Sequence, residues 1–159
     1  MIRRTKGRMG LCVCLLAANL IFIWGNSLLP GEISGAISGW VHQLIQAIFP
    51  ESGEIGGGHG LLRKLAHFSE FCALGMVLSW LFAMLKEKKW AFVVPSTVCG
   101  CLAACVDETI QCFVPERGPS IKDVGIDSVG VILGIGLLCL GYTIYQRKNI
   151  FNNLEENEK

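Results

Sequence analysis

The stretch VGIDSVGVILGIGLLCLGYTIY, residues 124–145, decides the fold of this chain. It is 22 residues long, and Asp127 is its only charged side chain. About 20 consecutive apolar residues are enough to cross the hydrocarbon core of a bilayer as a helix. The stretch therefore predicts a membrane-spanning helix.

Three further apolar segments extend this prediction to the whole chain. Of the 159 residues, 52% are hydrophobic and only 17% are charged, and the charges lie in short blocks between the apolar segments. This pattern predicts an all-α integral membrane protein, a bundle of about four transmembrane helices within residues 11–146. The predicted spans are residues 11–29, 66–85, 90–113 (with Pro95 near the start) and 124–145.

A cleaved signal peptide is the alternative interpretation of the first span. The apolar stretch of a signal peptide would normally be shorter than residues 11–29, and no small-x-small cleavage site follows Leu29. The first span is therefore expected to stay in the membrane.

Lysine and arginine residues predict the orientation, because they are enriched in cytoplasmic loops. Four precede the first span, three lie in loop 86–89, and Arg147 and Lys148 follow the last span. We expect a basic cytoplasmic N-terminus, 1–10, and a polar cytoplasmic tail, 147–159, disordered past Phe151. The loops after the first and third spans would then face outward.

The first outer loop contains apolar residues at steps of three and four, which predicts an amphipathic helix. They are Ile33, Ile37, Trp40, Val41, Leu44, Ile45 and Ile48. Such a helix between two spans is expected in the membrane interface, with Trp40 as an anchor. The loop then breaks at Pro50 and at the glycines 56–58, a hinge. A phosphate-binding loop is disfavoured there, because no Gly-Lys-Ser/Thr follows and no strand precedes.

The eight cysteines are predicted to be small packing residues. They lie within or at the ends of apolar segments, and their spacing does not match a zinc site. They are Cys12, Cys14, Cys72, Cys99, Cys101, Cys105, Cys112 and Cys139.

Polar residues of three spans fall on helix faces at the outward-facing end. The second span carries the stripe Lys64, His67 and Glu70; Asp107 and Gln111 share a face of the third, beside Glu108; Asp123 and Asp127 share a face of the fourth. Small residues continue two of these faces. They are Ser96, Gly100 and Ala104 on the third span and Gly130, Gly134 and Gly141 on the fourth. Since small residues allow close helix packing in lipid, the acids are expected to point into the bundle.

This polar cluster has three interpretations. As a binding site, Lys64 and Arg117 would contact phosphate or carboxylate while His67, Glu70 and Gln111 orient the ligand. As an enzyme site, His67 with Glu70 would be the acid–base pair, and the carboxylates of Asp107, Glu108, Asp123 and Asp127 would hold a divalent cation. As a structural ion-pair network, it would give Asp127 a basic partner: Arg117, Lys122 or Lys64.

Three segments resemble the VanZ-like family of membrane proteins. They are Lys64-Leu-Ala-His-Phe-Ser-Glu-Phe-Cys-Ala-Leu-Gly75, Asp107-Glu-Thr-Ile-Gln-Cys-Phe-Val-Pro-Glu-Arg117 and Asp123-Val-Gly-Ile-Asp-Ser-Val-Gly130. The end of the first span, Asn26-Ser-Leu-Leu-Pro-Gly31, is similar to a Ser-Ser-Gln-Pro-Gly segment of that family but lacks its Ser-Gln pair.

The resemblance implies a multi-pass protein of the bacterial plasma membrane. The family takes its name from a protein that raises tolerance to teicoplanin, a glycopeptide antibiotic that acts on the cell-wall precursor. Membrane lipids, and a lipid-linked wall precursor or a lipoglycopeptide, are therefore the expected partners, and nucleic acid is not. The resemblance implies neither a reaction nor a cofactor.

Overall fold

Five helices make up the computed structural model, which describes residues 2–48, 58–85 and 90–157. They are α1 (Ile2–Ser27), α2 (Gly31–Ile48), α3 (Gly58–Leu85), α4 (Val93–Gln111) and α5 (Ile121–Asn157). Four of them are long and apolar enough to cross a membrane, over Gly7–Ser27, Leu61–Leu85, Val93–Gln111 and Ile121–Lys148. The predicted all-α membrane bundle with four spans is confirmed.

The ends of α4 and the start of α5 lie two or three residues from the predicted span ends, 90–113 and 124, and local chemistry sets them. α4 begins at Val93, because Trp90 adopts a left-handed φ of 69° and turns the chain before the helix. Pro95 lies in its first turn, where a missing N–H costs nothing. α5 begins at Ile121, since the Ser120 hydroxyl accepts a bond from the Asp123 amide at 3.3 Å and caps the helix.

The expectation of disorder past Phe151 is wrong, because α5 continues through Asn157. A helix needs no apolar content to continue once it has begun, since each added residue gains one backbone hydrogen bond. The expected hinge at Pro50 and at glycines 56 and 57 lies outside the described residues, as does loop 86–89.

The closest packing in the bundle is between α3 and α5, and glycine makes it possible. A Cβ on Gly134 would overlap the carbonyl oxygen of Cys72, and a Cβ on Gly75 would overlap that of Val131. A Cβ on Gly130 would lie 2.6 Å from the Phe68 oxygen. The two backbones are therefore in direct contact, as the small residues of the fourth span predicted.

Gly141 is a correction to that prediction. It is exposed, and a Cβ on it would meet nothing within 4 Å. Helices that cross at an angle diverge along their length, so a shared face does not stay in contact over three turns. The predicted packing residues of α4 are confirmed, since Ser96, Gly100 and Ala104 are all buried.

The buried core is small, and large apolar side chains cover the outside of the bundle. Ile23, Phe71, Leu74 and Val131 are fully buried between the helices. Most leucine, isoleucine and valine side chains of the spans point outward and are exposed, as they would be toward lipid tails. All eight cysteines are free, and only Cys12 is fully buried.

α2 confirms the amphipathic helix predicted for the first loop. Its exposed apolar side chains include Ile37, exposed by 52%, and Trp40, exposed by 65%. Its first residue is attached to the loop between α4 and α5: the Gly31 amide donates to the Pro115 carbonyl at 3.2 Å. A Cβ on Gly31 would lie only 2.5 Å from the Glu116 oxygen, so the two segments touch through their backbones. We call this contact the α2 attachment.

Candidate functional site

One end of the bundle gathers the polar residues that the sequence singled out. There α1 and α4 end, while α3 and α5 begin, and we call it the site end. It holds a cavity of about 170 Å³ between α3, α5 and the loop that joins α4 to α5. The cavity is lined by Arg63, Lys64, His67, Glu108, Gln111, Glu116, Arg117, Gly118, Asp123, Ile126 and Asp127.

Gln111 connects three helices at the base of this cavity. Its amide nitrogen donates to Asp107 Oδ2 at 2.9 Å and to the Ser27 hydroxyl at 3.3 Å. Its amide oxygen accepts a bond from Arg63 Nη2 at 2.9 Å. Because Gln111 is almost completely buried, these bonds fix α1, α3 and α4 relative to one another.

Asn26, at the end of α1, links two further residues of the site. Its side-chain amide donates to Glu70 Oε1 at 2.8 Å, and its backbone carbonyl accepts from Arg117 Nη2 at 3.1 Å. Glu70 is thus occupied away from the cavity, which it does not line. The carboxylate within ion-pair distance of His67 is that of Asp107, not that of Glu70.

Two other predicted acids have partners at the cavity rim. Lys64 Nζ lies 3.2 Å from Asp123 Oδ1, and both side chains are partly exposed. Glu108 Oε2 accepts a bond from the Ser120 amide at 2.7 Å and so holds the start of α5 against the end of α4. These contacts give Asp123 and Glu108 structural partners of their own.

Asp127 differs from them. It is only 2% exposed, and within the described residues it makes no hydrogen bond and no ion pair. The structural ion-pair network required a basic partner for Asp127. Neither Arg117, Lys122 nor Lys64 fills that role in the part of the chain that is described.

Instead, Asp127 lies beside Asp107 and His67. One nitrogen or oxygen atom from each of the three lies within 4.8 Å of the others. His67 Nδ1 is 3.7 Å from Asp107 Oδ2, and the Asp107 side chain is fully buried. We call these three residues the His67 cluster.

Arg117 is another buried residue whose bonding is incomplete. Its side chain is only 9% exposed, and its Nε and Nη1 atoms are buried with no hydrogen-bond partner in the described structure. Burial lowers the pKa of the Arg117 guanidinium, and the positive charge of Arg63 lowers it further. A guanidinium nevertheless keeps its proton at neutral pH, so a buried positive charge faces the cavity with free donors.

All nine residues predicted for the site lie at the site end. The cavity is lined by seven of them, while Asp107 lies behind it and Glu70 is turned toward α1. Sequence reasoning missed Asn26 and Ser27 as members of the site. Their signal was present: both are polar and close an otherwise apolar span, in the segment where the family resemblance was weakest.

Comparison with known proteins agrees with the sequence motifs. None of the curated proteins and none of the solved structures compared with the chain matches it. The family model for VanZ/LLP1 matches residues 11–143, which include most of the first and fourth spans, all of the second and third, and the whole site end. The protein is thus a multi-pass, all-helical membrane protein that belongs to the VanZ/LLP1 family.

Proposed function

We propose that the cavity at the site end binds the anionic head of an envelope lipid, such as a lipid-linked wall precursor. The single observation that carries this proposal is Arg117, a buried guanidinium with two nitrogen atoms, Nε and Nη1, that have no partner in the described structure. A buried charged donor left unpaired costs more than a neutral one, so its presence favours a ligand that supplies acceptor oxygens.

The geometry of the guanidinium favours a particular kind of acceptor. Arginine presents its N–H groups as a planar fork that matches the paired oxygens of phosphate or carboxylate. One side of the Arg117 fork is held by the Asn26 carbonyl, which leaves the other side for a ligand. Lys64 at the rim, half exposed and paired with Asp123, adds a positive charge beside the cavity.

The depth of the cavity favours a lipid head over an acyl chain. It lies where all four spans begin or end, and in a bilayer that is the boundary between hydrocarbon and headgroups. A lipid whose chain runs along the bundle would have its phosphate at this height. His67 and Gln111, which also line the cavity, would orient the bound head, with Glu70 acting indirectly through Asn26.

The charge bias of the loops supports the proposed orientation, and the family supports a bacterial plasma membrane as the proposed location. With the protein in the bacterial plasma membrane and both termini cytoplasmic, the site end faces outward, where wall precursors are used. Binding of such a precursor is the route by which this chain would contribute to glycopeptide (teicoplanin) tolerance.

The test is lipid binding by purified protein in nanodiscs, measured by native mass spectrometry with a polyprenyl phosphate. Arg117→Ala should weaken binding roughly 10- to 100-fold, because bonds to a charged group contribute about 1.5–3 kcal/mol. Arg117→Lys should retain part of it, since lysine keeps the charge but not the fork. Lys122→Ala is the matched control, an exposed cation outside the cavity, and should bind normally. Binding that survives Arg117→Ala unchanged refutes the proposal.

A second candidate function is acid–base catalysis on the same kind of lipid. The observation that favours it is the His67–Asp107 pair, 3.7 Å apart, because a movement of less than 1 Å would bring the carboxylate into hydrogen-bond distance of the imidazole and orient it for proton transfer. His67, predicted with Glu70 as the catalytic pair, would act with Asp107 instead. Incubation with a polyprenyl diphosphate and product analysis by mass spectrometry tests it. A product that forms with the wild-type protein but not with His67→Gln supports catalysis. If the wild-type protein forms no product, catalysis is rejected.

A further inference from the structure

We propose that the His67 cluster is a binding site for one divalent metal ion, Zn²⁺ or Mn²⁺. The ligand atoms of His67, Asp107 and Asp127 lie within 4.8 Å of one another. A cation at the centre of a triangle with 4.8 Å sides would lie about 2.8 Å from each corner, since 4.8 divided by √3 is about 2.8, against about 2.0–2.2 Å in protein sites. Side-chain movements below 1 Å therefore bring the three atoms into coordination distance.

The bonding of the cluster points independently to a cation. Asp107 is fully buried, and its Oδ1 has no hydrogen-bond partner in the described structure. His67 Nδ1 is likewise buried without such a partner, and Asp127 lines the cavity with neither a hydrogen bond nor an ion pair among the described residues. Two buried carboxylates side by side repel each other and lose their hydration, and a bound cation removes both costs.

The nearby basic side chains do not supply the positive charge that would offset these two carboxylates. Lys64 is paired with Asp123, and Arg63 donates to Gln111. Arg117 donates to the Asn26 carbonyl and has no carboxylate within ion-pair distance in the described residues. Within the described residues, no neighbouring basic side chain therefore neutralises the Asp127 carboxylate.

The donor set selects the type of metal. One imidazole nitrogen and two carboxylate oxygens suit Zn²⁺ or Mn²⁺ better than Ca²⁺, which takes six to eight oxygens. Gln111 donates to Asp107 Oδ2 at 2.9 Å, the kind of outer hydrogen bond that orients a metal ligand. Three protein ligands leave coordination positions free, and His67 and Asp127 both border the cavity, so those positions open into it.

This inference does not depend on the proposed lipid function, because the cluster would bind the metal with the cavity otherwise empty. Arg117 is no ligand in this proposal. Arg117→Ala should therefore keep its metal even where it loses lipid, and the two proposals fail separately.

The experiment is a titration of the detergent-purified full chain, treated first with a chelator, with Mn²⁺ followed by electron paramagnetic resonance. Mn²⁺ binds thiols weakly, and the eight cysteines are the same in every variant. Wild type should bind one Mn²⁺ per chain and release it to Zn²⁺. Asp127→Asn should weaken Mn²⁺ binding by about 100-fold or more, because it removes a metal ligand. Loss of a hydrogen bond to a ligand alone already weakens metal binding by about 10- to 100-fold.

Glu116→Gln is the matched control, a carboxylate-to-amide change in the lining of the same cavity but outside the cluster. It should bind Mn²⁺ as wild type does, and equal losses in Glu116→Gln and Asp127→Asn overturn the proposal. If Asp127→Asn does not fold, the proposal is tested by thermal unfolding instead. Zn²⁺ should raise the unfolding temperature of the wild-type protein, and His67→Gln should abolish that rise. Wild type that binds no Mn²⁺ and is not stabilised by Zn²⁺ overturns the proposal as well.

Discussion

Gly134→Ala should destabilise the bundle, because this glycine lies directly against the backbone of α3. The added Cβ would overlap the Cys72 carbonyl oxygen, a helix backbone atom that has no rotamer to relieve the contact. The helices must separate, and inserting a methyl group into a packed interface costs about 1–3 kcal/mol. Alanine regains up to about 1 kcal/mol of helix propensity over glycine. The expected net loss is about 1–2 kcal/mol, a fall in unfolding temperature of roughly 2–8 °C.

Gly136→Ala is the matched control two residues further along α5. Gly136 is exposed, and a Cβ on it would meet nothing within 4 Å. It should leave the unfolding temperature in detergent unchanged or slightly raised, because only the propensity gain applies. Gly75→Ala, which overlaps the Val131 carbonyl from the other helix, should behave like Gly134→Ala. Equal unfolding temperatures for the variants at positions 134 and 136 would refute direct backbone packing of α3 on α5.

Three further predictions test the orientation, the loop and the amphipathic helix. Reporter fusions after Lys89 and after Lys159 should both report cytoplasm, and an exterior signal at either position contradicts the orientation. Glu108→Ala should lower the free energy of unfolding by about 1.5–3 kcal/mol, because it removes the hydrogen bond from the Ser120 amide. Glu108→Gln keeps an acceptor oxygen and should lose less. Equal losses of the two variants in thermal unfolding would show that this bond is unimportant. In a variant with Trp40 as its sole tryptophan, lipid brominated near the headgroup should quench fluorescence more than lipid brominated near the chain end. The reverse order would place α2 deeper than the interface.

The spans were predictable because apolar content is a local property of the sequence. The buried faces of α4 and α5 were also predictable, apart from Gly141, since small and polar residues repeat along them at helical spacing. Helix ends were less predictable, because they depend on local features such as the Ser120 cap and the left-handed turn at Trp90.

The membership of the site was largely predictable, and its internal pairing was not. Periodicity places His67 and Glu70 on one face of α3, but the rotation of α4 against α3 decides that Asp107 lies beside His67. That rotation is set by packing between helices distant in sequence. Asn26 and Ser27 were missed for the same reason: α1 reaches the site through tertiary contacts with Glu70, Gln111 and Arg117.

The α2 attachment joins one wall of the cavity to the amphipathic helix α2. Arg117 follows Pro115 and Glu116 directly, and these two residues are the ones that contact Gly31 at the start of α2. The segment carrying Arg117 cannot swing outward without pulling on a helix whose apolar face includes Ile37 and Trp40. With α2 in the membrane interface, as expected, that movement would also draw apolar surface away from lipid and would make entry to the cavity depend on lipid composition. We therefore expect the proposed ligand to exchange faster in micelles than in nanodiscs.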